Sequence, residues 1–260
     1  MNAPAVFALK LVLTPLLVGA ASLAGRRWGP SVGGWLIGIP FTSGPVVFFL
    51  ALDPGPRFAA LAAEATMAGA ISQAAFCLAY SWTAARFGWS LSLLAARLGY
   101  AAATVLLVRV PLRGGVLFVV IVAVLAFALL LMPLRGIAPP SSRVSFPRWD
   151  LPARMVVATA FVVVLTGIAP AVGPRLAGLL APFPLYGAVL AGFAHRFQGA
   201  GSAVRVLRGL LLGLFAFAAF FLVLSGLLPY GIALAFGFAI AAALAVQGGT
   251  LLAGRRLGVA

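Results

Sequence analysis

Three acidic residues, one histidine and one cysteine are all that this chain of 260 residues offers for metal or acid–base chemistry. They are Asp53, Glu64, Asp150, His195 and Cys77. A zinc site needs clustered His, Cys or carboxylate ligands, and a nucleophilic triad needs a base oriented by an acid. These five residues are scattered, and no glycine-rich phosphate loop accompanies them. The pattern points away from an enzyme and calls for no cofactor and no metal. Cys77 lies in an apolar run and reads as a small hydrophobe. His195 stands beside Arg196 at the end of such a run and reads as interfacial.

What remains is charge inside apolar runs, where it is costly and faces a cavity or a partner. Glu64 is the acidic residue that lies well inside one. It reads as a proton-coupling group or as one half of an ion pair, with Arg208 as the matching cation. Arg97, near the middle of its own run with Tyr100 and Thr104 on the same helical face, adds positive charge that would favour a small anionic substrate. Lys10 and Arg154 lie near run ends, where such side chains extend to the interface.

Two runs are interrupted by glycine and proline. The first reads PSVGGWLIGIPFTSGPVVFFLAL and carries Gly33, Gly34, Gly38, Pro40, Thr42 and Ser43. The second reads PRLAGLLAPFPLYGAVLAGFAHRF, with Pro182, Pro184 and Tyr186 at the same depth. Proline removes a backbone donor and clashes with the preceding turn, so a helix must break there. Pro40, Thr42, Ser43, Pro184, Tyr186 and Arg97 are therefore the candidate substrate-binding residues. The competing reading is that the small residues only permit close helix packing.

The elements that must position these groups follow from composition. Hydrophobic residues make up 64% of the chain and charged residues 8%. A soluble domain carries about 25% charged residues. Spanning helices need roughly 20 apolar residues each, and nine runs qualify: 4–24, 31–51, 58–84, 89–108, 115–133, 152–171, 175–194, 204–227 and 230–253. The fold class is an all-α integral membrane protein with the lipid bilayer as its main partner. Of 18 Lys and Arg residues, eleven arginines fall in loops on one side and four on the other, with Lys10, Arg97 and Arg208 inside spans. Positive loops stay cytoplasmic, which places the N-terminus outside and the C-terminus inside a bacterial inner membrane. The net charge of +15 thus reads as topology rather than nucleic-acid binding. Ala20-Ala21-Ser22 resembles a signal-peptide cleavage site, but the repeat described next, with an equivalent of this segment mid-chain, argues against removal.

Shifting the sequence by 144 residues aligns it with itself, with 15 identities over residues 10–78. Gly29-Pro30, Gly34, Pro40, Gly55 and Gly69 fall on Gly173-Pro174, Gly178, Pro184, Gly199 and Gly213. Five spans separate equivalent points, so the second copy enters the membrane from the opposite side. The expected organisation is a four-helix repeat in 1–110, a linking span and cytoplasmic loop in 111–150, and a second repeat in 151–260. Inverted repeats with interrupted spans are a feature of secondary transporters, the function expected here. The rival is a non-catalytic subunit that scaffolds or regulates a partner. The identity of the substrate and association with further copies of the chain are left open.

The segment AGLLAPFPLYG, followed by His195, Gly199 and Arg208-Gly209, resembles the Gly-Leu…Phe-Pro pattern of the GlpM family of small inner-membrane proteins of about four helices. The likeness covers roughly residues 154–250. In the first copy, GGWLIGIPFTSGP keeps the glycine and proline but has Ile39 in place of phenylalanine. The resemblance implies membrane placement and duplication, and no activity. The opening RRWGP…GGWL.G.P.TSGPV also looks like that of a class of bacterial membrane proteins. Paired four-helix units are similar in logic to the drug/metabolite transporter superfamily.

The arginine distribution predicts that a reporter fused after residue 260 is cytoplasmic and one inserted within 110–114 is outside. A C-terminus reported outside would remove both the nine-span topology and the inverted repeat.

Overall fold

The computed structural model describes residues 3–28, 40–109, 113–133 and 150–256. Every regular element among them is helical. The helices are α1 (Ala3–Trp28), α2 (Ser43–Leu52), α3 (Pro56–Ala84), α4 (Trp89–Arg109), α5 (Gly114–Leu131), α6 (Asp150–Leu180), α7 (Leu185–Gln198), α8 (Ala200–Leu227) and α9 (Ile232–Arg256), with a 3-10 turn at Leu228–Tyr230. Gly33, Gly34, Gly38 and the polar linker at 135–149 lie outside the described residues.

Six stretches are long and apolar enough to cross a bilayer, one in each of α3, α4, α5, α6 and α9 and one in α8 continued to Tyr230. The chain is a helical, multi-pass membrane protein. Of the other expected spans, α1 and α2 contribute the shorter apolar stretches Pro4–Ala20 and Ser43–Leu52, and α7 has 14 residues. The expected boundary between the sixth and seventh spans falls inside α6. There Gly173, at φ 82° and ψ 164°, interrupts the helix immediately before Pro174. Glycine alone adopts that conformation without strain.

Glycine also sets where the two central helices begin. Gly55 (φ 129°) precedes α3 and Gly199 (φ 88°) precedes α8, one repeat length apart. Pro56 opens α3, where its missing N–H is no loss. A further backbone bond recurs at the same interval. Gly44 N–H donates to Pro40 O at 2.8 Å, and Ala188 N–H donates to Pro184 O at 2.8 Å.

Helices α3 and α8 form the centre. Their spanning stretches are 67% and 61% buried, against 22–28% for those of α4, α5, α6 and α9. Their buried faces differ in kind. On α3 it is mostly alanine, with Ala59, Ala62, Ala63, Ala70 and Ala74; on α8 it is Leu207, Leu210, Leu211, Leu214, Phe217 and Phe221. In lipid, helices associate through packing and hydrogen bonds rather than through hydrophobic burial. The two helices pack on each other, and small residues on α3 also let α6 approach closely at Gly178. The outward faces carry bare aliphatic side chains such as Leu130 (82% exposed) and Leu106 (68%), as a lipid boundary requires.

Contacts fix the relative direction of the two central helices. Thr66, Gln73 and Tyr80 of α3 meet Gly178, Pro182 and Ala191 in ascending order, so α3 runs parallel to the 174–198 segment. Across the turn at Gly199, Gly187 packs on Leu210, so α8 runs back antiparallel to that segment. Hence α3 and α8 are antiparallel.

The tightest approach is at Gly178, where an added Cβ would overlap the Ala62 carbonyl oxygen and come within 2.7 Å of Ala65 Cβ. Gly178→Ala is expected to destabilise the protein by about 1–3 kcal/mol, the usual cost of overpacking. Gly167→Ala, with nothing within 4 Å, should be neutral or slightly stabilising. Thermal unfolding in detergent separates the two, and equal midpoints would contradict this packing.

Candidate functional site

Helix α6 ends at Leu180 and α7 begins at Leu185, with Pro182 and Pro184 in the gap. The prolines supply no N–H, so the last carbonyls of α6 lose their helical partners. In hydrocarbon each unsatisfied group costs several kcal/mol. The structure gives every carbonyl from Ala177 to Pro184 a donor. Backbone amides serve five of them: Ala181 N–H donates to Ala177 O at 3.1 Å and Gly178 O at 3.2 Å, Phe183 to Leu180 O at 3.0 Å, Leu185 to Phe183 O at 2.8 Å and Ala188 to Pro184 O at 2.8 Å.

Side chains from three other helices serve the rest and add a second donor to Gly178 O. Thr66 Oγ1 shares its one proton between Ala62 O of its own helix at 2.8 Å and Gly178 O at 3.0 Å, and Tyr100 OH donates to Leu179 O at 2.9 Å. Ser43 Oγ donates to Ala181 O at 3.2 Å, and Gln73 Nε2 donates to Pro182 O. Gly69 lets α3 approach, since a Cβ there would overlap the Pro182 ring. Phe183 in the gap packs edge-on against Tyr100, with ring centres 5.4 Å apart.

The candidate residues sort as follows. The two interrupted runs do meet, through Ser43 and Ala181. Pro40 and Pro184 are buried, and each accepts from the amide four residues on, although Pro184 caps α7 directly and Thr42 stands at that place before α2. Thr42 is half-buried at the start of α2 and makes no capping bond with its side chain. The Tyr186 hydroxyl is enclosed without a hydrogen-bond partner, within electrostatic reach of Arg154. Arg208 Nη1 is likewise enclosed without a hydrogen-bond partner. Arg97 is exposed on the outer face of α4, while Ala96, Tyr100 and Thr104 form its buried face.

Among the described residues no ion pair joins Glu64 to Arg208. Glu64 Oε1 accepts from Gly114 N–H at 2.5 Å. Antiparallel helices explain the separation. Arg208 lies level with the far half of α3, roughly 18 Å along the axis from Glu64 at 1.5 Å per residue. The opposite end of α3 holds another polar contact, Tyr80 OH to His195 Nδ1 at 3.2 Å, beside Arg196 stacked over Trp89 at 5.9 Å.

The side-chain donors Thr66, Gln73 and Tyr100 are absent from the candidate site residues chosen by sequence. A signal for them exists: Thr66, Gln73 and Tyr80 recur every seven residues on α3, a polar stripe on one helical face. Their equivalents 144 residues on are Leu210, Phe217 and Leu224, which carry no donor.

Together these features define a helical membrane protein with a capped helix break at its centre. Comparison with family models, curated proteins and solved structures yields no match to the chain.

The capping predicts a graded response. Tyr100→Phe removes the sole donor to Leu179 O and should cost about 1–3 kcal/mol, the penalty of a buried unsatisfied carbonyl. Gly178 O has a second donor, Ala181 N–H at 3.2 Å. Thr66→Val should therefore cost less, about 0.6 kcal/mol, the average for a single interhelical bond in a membrane. Unfolding in mixed micelles gives both values, and the reverse order would refute the accounting.

Proposed function

We propose that the chain is a secondary transporter of the bacterial inner membrane, made of two inverted four-helix repeats, residues 1–110 and 151–260, around the linking span. The observation that carries this reading is the meeting of the two interrupted runs at Ser43 and Ala181, in the middle of the bundle. Three facts support the inverted relation. The central helices α3 and α8 are antiparallel and begin one repeat length apart after Gly55 and Gly199. Pro40 and Pro184 make the same backbone bond. Helix α5, between the repeats, packs on both α3 and α8.

In this reading Tyr186, Thr42 and Arg208 contact a small anionic substrate. An enclosed phenol and guanidinium nitrogen without partners have hydrogen-bonding capacity that a ligand would use. Pro40 and Pro184 shape the interruption, and Ser43 serves it structurally. Arg97, on the outer face, takes no part. Alternating access exposes the site to each side in turn, by movement along apolar faces outside the locked contact of α2, α3 and α4 with the 174–198 segment. Glu64, a half-buried carboxylate at one end of α3, is the group that binds and releases the coupling proton.

The second reading, a scaffolding or regulatory subunit, is favoured by one observation: the break has all its carbonyls capped by protein. A break so satisfied needs neither water nor substrate.

Purified protein in proteoliposomes, challenged with a panel of small carboxylates and phosphates under an imposed pH gradient, distinguishes the two. Transport is expected, with Tyr186→Phe and Arg208→Met raising KM. Glu64→Gln should abolish proton-driven uptake while leaving exchange. No flux across the panel, together with copurification of a partner at fixed stoichiometry, would favour the subunit. Normal uptake by Glu64→Gln would remove Glu64 as the coupling group.

A further inference from the structure

A cavity of about 220 Å³ lies between the start of α5, the end of α4 and the Gly173 interruption, bordering the capped segment at Leu179. Its walls include Leu61, Leu107, Leu117 and Leu179, and its polar end is Arg113, Arg175 and Glu64. We infer that this cavity binds an anionic phospholipid, with the phosphate between Arg113 and Arg175 and the first acyl carbons along Leu61, Leu107 and Leu117.

Charge is the first argument. Two guanidiniums face one carboxylate, which leaves a surplus positive charge. Glu64 Oε1 is committed to the Gly114 amide at 2.5 Å. Arg175 is held in place by donating from Nη2 to Leu107 O at 2.9 Å, so its planar fork is oriented before any ligand arrives. Guanidinium geometry matches phosphate oxygens.

The walls decide between a lipid and a soluble anion. A free phosphate would gain nothing from four leucine side chains. Leu61 is 48% exposed, and neighbouring Leu106 and Val116 are 68% and 64% exposed, so the apolar wall continues onto the lipid-facing surface. Arg113 and Arg175 are exposed at helix ends, where headgroups lie. An amphiphile with a phosphate at one end satisfies both parts of the cavity, and basic pockets between spanning helices are suited to such headgroups.

The test uses the full chain purified in detergent. Phosphatidylglycerol or phosphatidylcholine is added, and bound lipid is counted by native mass spectrometry. Phosphatidylglycerol should be retained in preference. Arg113→Gln should weaken it roughly fivefold, and the Arg113→Gln/Arg175→Gln pair on the order of 25-fold, at about 1 kcal/mol for each cation near an anionic surface. The Arg113→Lys/Arg175→Lys pair should keep part of the binding. Arg175 also braces α4, so the single Arg113→Gln variant carries the conclusion if the double variant does not fold. Unchanged retention in Arg113→Gln would overturn the site. Displacement of phosphatidylglycerol by millimolar inorganic phosphate, with the same thermal stabilisation, would overturn the lipid as its source.

Discussion

A backbone carbonyl inside a bilayer must find a donor, and the packing around the break at 181–184 is organised by that requirement. The prolines of the gap interrupt the ladder, and four side chains on three separate helices repair it. Because Ser43, Thr66, Gln73 and Tyr100 come from α2, α3 and α4, the repair also locks the first half of the chain onto the second. Helices α2, α3 and α4 cannot move away from the 174–198 segment without exposing oxygen to hydrocarbon. Bonds between helices are individually modest in membranes. Here they act together, since each leaves a specific acceptor stranded when it breaks.

The arrangement is one-sided. The donors stand in the first half and the acceptors in the second. At the positions equivalent to Ser43, Thr66, Gln73 and Tyr100 stand Gly187, Leu210, Phe217 and Leu244. Helix starts at matching positions thus go with different side-chain partners. For a transporter this sets which parts move together: the capped segment travels with α3, and any relative motion falls elsewhere, along faces that rest on apolar contact.

Glycine and proline made the break legible in the sequence. They report backbone conformation directly, and so do the starts of α3 and α8 at Gly55 and Gly199. The partners were not legible, because a helix break says that carbonyls need donors and not which helix brings them. Thr66 is a common side chain in an apolar run, and only its seven-residue spacing from Gln73 and Tyr80 marks it. Depth and a face shared with Tyr100 and Thr104 placed Arg97 in a cavity, but the buried face of α4 is set by Ala96, Tyr100 and Thr104, and the arginine faces outward. Glu64 and Arg208 occupy mirrored places in the sequence. Mirrored places on antiparallel helices lie far apart, so equivalence did not bring contact.

The alanine face of α3 and the leucine–phenylalanine face of α8 have a consequence for the chain as a whole. The two helices pack on each other, and the large side chains that fill the centre come mainly from α8. Small residues on α3 instead let a neighbouring backbone close in, as Ala62 and Ala65 do at Gly178. Substitution therefore fails in opposite directions on the two helices: a buried leucine of α8 cut to alanine leaves a void, whereas an alanine of α3 grown to leucine finds no room.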